Sequence, residues 1–378
     1  MNVAELLDGR RVCVCAGSGG VGKTSTAAAI ALGMAAGGAK VAVVTIDPAQ
    51  RLASALGLEQ LSNEPRPVEL AGGTPLQGEL WAMMLDPKRT FDELIDRLAP
   101  SPERAEEIKH NRVYRELSSA VSGSQEFTAV SKLYELVNEG EFDLVVLDTP
   151  PSRNALDFLE APRRLTAFLE GRMLKVVLLP TGLGMRVLSA GTAPLLSALR
   201  RVTGVDAIAD VTGFFALLGD MTESFRARAQ HVEELLHSPQ TAFVLVTSAQ
   251  SEPVDEAIWF RRTLREGGLP FAGVVVNRFH HDLRTTGGVD GLDGELSAAL
   301  GRELADRVLA NLADYHVLAE RDAANVARLR DELDPDEPLL LVPQFDDDVH
   351  DVAGLLRMRQ FLFASDDERA QLISDAVS

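Results

Sequence analysis

Cysteine is almost absent from this chain: Cys13 and Cys15 are the only two in 378 residues. That excludes a disulfide framework. Because the pair sits two apart in a short apolar run, both thiols are expected on one face of a buried strand. Basic residues are also few, with 37 Lys and Arg against 56 Asp and Glu and a net charge of -19. Such a surface repels nucleic acid and anionic membranes except at a local basic patch, which argues against a DNA-segregating or bilayer-bound protein. Long hydrophobic runs are missing too. The uncharged stretches between Lys175 and Arg186, and between Arg186 and Arg200, fall short of the about 20 residues a membrane helix needs. The start, MNVAELLDGRR, has no apolar core of a secretory signal. These absences predict a soluble, cytoplasmic chain with no stable membrane insertion and no nucleic-acid partner. Aromatic residues make up only 5%, but the hydrophobic content of 46% suffices for a large core.

What is present is a rhythm of short β-branched runs, each followed by a turn and a helical pattern: RVCVCAG, KVAVVTIDP, ELWAMMLDP, FDLVVLDTPP, TAFVLVTSA, FAGVVVNR and PLLLVPQ. Continuous apolar runs of this length are what parallel strands buried on both faces look like, so the pattern predicts an α/β fold with a doubly wound, mostly parallel sheet. Two stretches break the rhythm and read as helical insertions on one edge of the sheet: about 89–139, with spaced apolar positions Phe91, Leu94, Ile95 and Leu98 and later Phe127, Val130, Leu133 and Leu136, and about 163–236. A single domain over 1–378 follows, its core at about 8–88, 140–162 and 237–364 and its insertions forming a helical subdomain. The segment SNEPRPVELAGGTP reads as loop and the tail SDDERAQLISDAVS as a fraying end. The helix pattern VHDVAGLLRMRQFLF reads as a closing helix packed on the sheet and capped by one of Asp346, Asp347 or Asp348, the surrounding acidity opposing a membrane-targeting role.

Chemistry concentrates at GSGGVGKT, Gly17, Ser18, Gly19, Gly20, Val21, Gly22, Lys23 and Thr24, followed by Ser25. The stretch satisfies the G-x-x-x-x-G-K-[ST] pattern between a strand and a helix. Glycines let successive backbone N–H groups wrap a phosphate, and the helix N-terminus adds a favourable dipole. Lys23 would reach phosphate oxygens of ATP, and Thr24 would ligand Mg²⁺. A Gly-rich turn that binds nothing is the bland alternative. Asp148 ends the strand LVVLD, where a carboxylate can hold the Mg²⁺ shell beside Thr24 or merely cap the next helix. Asp47 ends the strand before PAQR and is placed to orient the attacking water, or again to cap a helix. His280, His281 and Asp282 form a run whose adjacent histidines read as solvated loop residues rather than metal ligands.

GSGGVGKTS, TIDPAQRLASALG, LDTPPSRNALDFL and VVVNR, in this order, resemble the deviant-loop ATPases of the arsenite-pump and tail-anchored-protein-targeting family, the ArsA/GET type. The wider group includes the MinD and ParA ATPases; the helical insertions favour the ArsA/GET branch. The resemblance implies an ATP- and Mg²⁺-dependent dimer in which Asp47 lies in switch I and Asp148 in switch II. It also implies that Asn277 and Pro343 lie near the adenine, and that the helical insertions cover a hydrophobic client groove or meet a pump subunit. Met173, Leu174, Val177, Leu178, Met185, Val187 and Leu188 are the candidate apolar client surface, or else ordinary core or oligomer interface.

The departures carry their own expectations. Family members typically place a lysine where this chain has Ser18, and that lysine crosses the dimer to the partner's nucleotide. Serine adds no charge, and such a charge is worth several kcal/mol in a transition state. Turnover by a homodimer should therefore be low unless Arg51 or Arg153 substitutes, or unless the chain pairs with a lysine-bearing paralogue. A positioning ATPase of the MinD/ParA kind is the remaining alternative. The chain has no C-x-x-C for a zinc clamp and no cysteine cluster for trivalent arsenic.

Overall fold

The apolar runs become strands in a computed structural model of the chain, which describes residues 1–47, 49–70, 76–112, 114, 124–149, 217, 221–283 and 292–375. Arg153 and the proposed client residues Met173 to Leu188 lie outside that set. In chain order the elements are α1 (Val3–Leu6), β1 (Val12–Ala16), α2 (Lys23–Ala36), β2 (Lys40–Thr45), α3 (Arg51–Ala55), β3 (Arg66–Pro67), β4 (Glu79–Met84), α4 (Pro87–Leu98), α5 (Pro102–His110) and α6 (Ser124–Glu139). They continue with β5 (Leu144–Asp148), α7 (Thr222–His237), β6 (Thr241–Ser248), α8 (Ser251–Glu266), β7 (Phe271–Phe279), α9 (Leu292–Leu300), α10 (Arg302–Asp331), β8 (Leu339–Pro343), α11 (Val352–Phe363) and α12 (Asp366–Asp375). The chain divides into two units, one of 1–84, 136–155 and 236–378, the other of 85–135 and 156–235.

The first unit is built on an eight-stranded sheet in the order β3-β4-β2-β5-β1-β6-β7-β8. All pairs are parallel except β3 against β4. Strands β1, β5 and β6 are buried along their whole length, which is why their sequences run apolar without alternation. Cys13 and Cys15 both fall on the face shared with Val41, Val43, Val146 and the alanine-rich α2, as the i, i+2 spacing predicts. Helix α2 is buried around most of its surface because small side chains let strands and α11 approach it. Strand β1 sits between β5 and β6, so the chain order reverses beside it, and ligands of doubly wound sheets bind outside the carboxyl ends of strands at such a reversal.

Three sequence expectations need correction here. The SNEPRPVEL segment is not all loop, since Arg66 and Pro67 pair antiparallel with Ala82 and Trp81 at the sheet edge, a position that tolerates proline. The tail does not fray at Asp366: α12 is fixed by the buried Arg369, whose guanidinium donates to the carbonyls of Phe361 and Ala364 at 2.8 Å and to Asp366 at 2.7 Å. The N-terminal ammonium reaches the same aspartate at 3.0 Å. The cap of α11 is Asp351, whose side chain accepts from Gly354 N at 2.8 Å, rather than one of the preceding aspartates.

The described part of the second unit is helical. Prolines at the first positions of α4 and α5 follow capping Asp86 and Ser101. Leu94, Ile95, Ala105, Ile108 and Phe225 share its core with Tyr114, whose hydroxyl donates to Asp92 at 2.5 Å. Glu135 gathers Arg97 and Lys132, each at 2.6 Å. No helix among the described residues is long and apolar enough to cross a membrane.

Candidate active site

Parallel register brings three strand ends into one row. Cys15 on β1 and Thr45 on β2 both stand opposite Asp148 on β5. Asp148 is 1% exposed, and its Oδ2 accepts from Thr24 Oγ1 at 2.7 Å and from Thr45 Oγ1 at 2.9 Å. Its Oδ1 has no partner. Burial pushes the carboxyl up to about 6, against the pull of the Thr24 and Thr45 hydroxyls and of the Lys23 charge. Among the described residues the bonds to this carboxylate come from hydroxyls.

The glycine-rich loop joins β1 to α2, and its last residue, Gly22, stands in the left-handed region at φ 94° without any side-chain cap. The first amides of α2 therefore have no capping side chain and point where an anion would sit. A Cβ on Gly22 would stand 2.2 Å from Asn277 Nδ2, so glycine is required both by conformation and by contact. Asn277 is buried under the loop and donates to the Val21 carbonyl at 2.9 Å. Lys23 is 6% exposed and donates from Nζ to the Ser18 carbonyl at 2.7 Å. Burial lowers its pKa, while Asp148 and Asp47 act in the opposite sense.

Asp47 is half-buried. Its backbone N–H donates to Thr45 Oγ1 at 3.2 Å, and its Oδ1 accepts from Ala49 N at 3.0 Å. The N-cap of helix α3 is instead Gln50, which has φ 54° and makes no side-chain cap bond, so Asp47 is not that helix's cap. Arg51 pairs with Asp47 at 3.5 Å.

A cleft of about 470 Å³ opens over these groups. Gly20, Gly22, Lys23, Thr24, Ser25, Asp47, Asn277 and Pro343 are among its lining residues. Gly17, Gly19 and Val21 do not line it, and Asp148 lies just beneath. Ser25 Oγ donates to the Val349 carbonyl at 3.3 Å. Ser18 turns elsewhere, its hydroxyl donating to the Glu256 carboxylate on α8.

Several groups at the site were not singled out from sequence. Thr45 reaches Asp148 beneath the cleft because of the β2–β5 register, and Gln344, Phe345, Asp347, Asp348, Val349 and His350 line the cleft because β8 ends beside the loop. Arg278 stands at the register shift between Val276 and Phe279, in a left-handed conformation at φ 58°, with its guanidinium 3.5 Å from Asp348. The acidic run after β8 and the arginine after Asn277 were the available signals. Away from the cleft, the histidine run is half-buried rather than solvated. His280 Nδ1 lies 2.7 Å from the buried Asp322 on α10, and burial lowers the pKa of His281. Among the described residues no group of three or more His, Cys, Asp or Glu is arranged to hold a metal. Cys13 and Cys15 are buried and unbridged, and the Cys15 thiol is held protonated by its hydrogen bond with Cys13 and by burial.

The family described as anion-transporting ATPase matches residues 10–286. ATPase get3 of Schizosaccharomyces pombe is 27% identical over 275 residues, covering 71% of this chain and 74% of that protein. ATPase ARSA1 of Chlamydomonas reinhardtii is 26% identical, covering 71% of this chain, which spans only 35% of that longer relative. ATPase BagA of Mycobacterium tuberculosis is 23% identical over 72% of this chain and 66% of its own length. Since the family match takes in the loop, both strand-end aspartates and Asn277, the chain belongs to the anion-transporting ATPase (ArsA) family.

Proposed function

We propose that this chain is a cytoplasmic, Mg²⁺-dependent ATPase that binds and hydrolyses ATP as a dimer and couples nucleotide state to an apolar protein client or partner. The observation that carries this reading is the Thr24–Asp148–Thr45 cluster under a left-handed glycine, with one buried carboxylate oxygen unpartnered. A hydroxyl and a carboxylate are hard oxygen donors, which suits Mg²⁺ better than a transition metal. The uncapped start of α2 and the buried Lys23 suit a polyphosphate.

In this reading Lys23 leaves the Ser18 carbonyl to neutralise phosphate oxygens, and Thr24 and Asp148 hold the metal, the carboxylate through water. Asp47 would orient the attacking water, and Asn277 and Pro343 would lie near the adenine. Bound Mg²⁺-ATP supplies the electrophilic phosphorus and the charge that the carboxylates offset. The core would be 8–88, 140–162 and 237–364, with the helical insertions serving as the client- or partner-facing subdomain. Transport of a thiol-seeking oxyanion is not favoured, because the two cysteines are buried and the Cys15 thiol is protonated.

The bond from Ser18 to Glu256 favours a second form of this reading, a weakly active subunit completed by a lysine-bearing paralogue. The net charge of -19 weighs against a positioning ATPase that works on a nucleoid or an anionic membrane. Lys23→Ala tests the core claim. Mg²⁺-ATP affinity by calorimetry and turnover should both fall, turnover by about a hundredfold. If neither changes, the cleft is not an ATPase site.

A further inference from the structure

The cations lining the cleft are already answered by carboxylates. Arg51 pairs with Asp47 and Arg278 with Asp348, each at 3.5 Å, and Lys23, whose Nζ is held by the Ser18 carbonyl at 2.7 Å, feels the negative charges of Asp148 and Asp47. Phosphate binding therefore needs further positive charge. Position 18, at the start of the loop, faces another anion instead: Ser18 Oγ donates to Glu256 on α8, and Glu256 has no ion pair among the described residues. The carbonyl of the same serine holds Lys23 Nζ at 2.7 Å. Ser18 thus links a carboxylate that has no ion pair among the described residues to the lysine of the glycine-rich loop.

We propose that Glu256 is a counter-charge specific to position 18, which captures within the same chain any cation placed there and so makes this phosphate loop depend on positive charge from elsewhere. The inference rests on the ATPase reading. A hydroxyl satisfies Glu256 with one charge-assisted hydrogen bond and leaves the carboxylate's charge in place. An ammonium at the same position would form an ion pair with it. In that pair the ammonium is neutralised and turned toward α8, away from a nucleotide across the loop. Glu256 is a positioning residue in this account, acting through position 18 and touching no reacting atom.

The test is a double-mutant cycle on the full chain: wild type, Ser18→Lys, Glu256→Gln and the double variant, with Mg²⁺-ATP turnover and binding measured for each. The factor by which Glu256→Gln raises kcat should be at least about tenfold larger in the Ser18→Lys background than in the wild-type background. Combining Ser18→Lys with Glu256→Asp should not reproduce the gain, since the carboxylate remains. Equal factors in both backgrounds, or a Ser18→Lys single variant as fast as the double, would overturn the proposal. Glu256→Ala supplies the same comparison if the glutamine variant melts early by circular dichroism. If no variant binds Mg²⁺-ATP and Lys23→Ala matches wild type, the ATPase reading itself has failed. If all bind and the factors are equal, only the counter-charge falls.

Discussion

Asp148 pairs one oxygen with two threonine hydroxyls and leaves the other buried without a partner. Its carboxyl is raised from 3.8 to about 6, chiefly by burial. A raised folded-state pKa means that the group favours folding below the unfolded value and that this contribution is lost as pH rises through about 6. Ionised Asp148 therefore costs the nucleotide-free chain up to about 3 kcal/mol at neutral pH. Asp148→Asn should raise unfolding stability by up to that amount at pH 7.5, with the gain vanishing near pH 4, as read by urea unfolding at both pH values. A variant less stable than wild type at pH 7.5 would mean that the Lys23 charge and the hydroxyl bonds outweigh burial. Lys23 and Thr24 were legible in the sequence because a strand, a glycine loop and a helix are adjacent in the chain, and Asp148 because it ends an apolar run. Thr45 and Glu256 were not, since each meets the site through pairing or packing between distant segments.

At the scale of elements, the α2–α11 crossing shows how little room the core leaves. A Cβ on Gly33 would fall 2.0 Å from Phe363 Cε2, so the glycine inside α2 makes space for a ring from the far end of the chain. Glycine there costs helix propensity of about 1 kcal/mol relative to alanine, yet the collision outweighs that gain. Gly33→Ala should destabilise by about 1–3 kcal/mol, and the loss should shrink in a Phe363→Ala background. Thermal unfolding of the four corners of that cycle decides it, and an alanine variant more stable than wild type would show that the ring moves aside at no cost. The seven long strands were readable because burial on both faces keeps most of their central positions apolar. The two-residue β3 was not, because an edge pair this short has no period of its own. The α12 helix was likewise misread, since polar residues hide the one arginine that fixes it from within.

For the molecule as a whole, ligand binding is expected to dominate stability over the long-range repulsion of a chain carrying a net charge of -19. Mg²⁺-ATP at a hundred times its dissociation constant should stabilise the fold by about 2.7 kcal/mol through mass action. Under the dimer proposal, sedimentation velocity should also show mass moving from one chain to two on adding Mg²⁺-ATP. Differential scanning calorimetry reads the first effect. A melting profile unmoved by Mg²⁺-ATP would remove the cleft as a nucleotide site, while a shifted profile with unchanged mass would leave binding intact and reject the nucleotide-driven dimer.

By itself the sequence determined the parallel α/β class, the position of the glycine-rich loop and the aspartates at or just after strand ends. These follow from local patterns: apolar runs set by two-sided burial, and glycines set by backbone conformation. Only the tertiary structure decided that Thr45 shares Asp148 with Thr24, that Arg278 and the acidic loop after β8 close the cleft, and that Ser18 answers to Glu256. Those contacts join residues up to 238 positions apart, and such pairings depend on strand order and register, which no local period in the chain encodes.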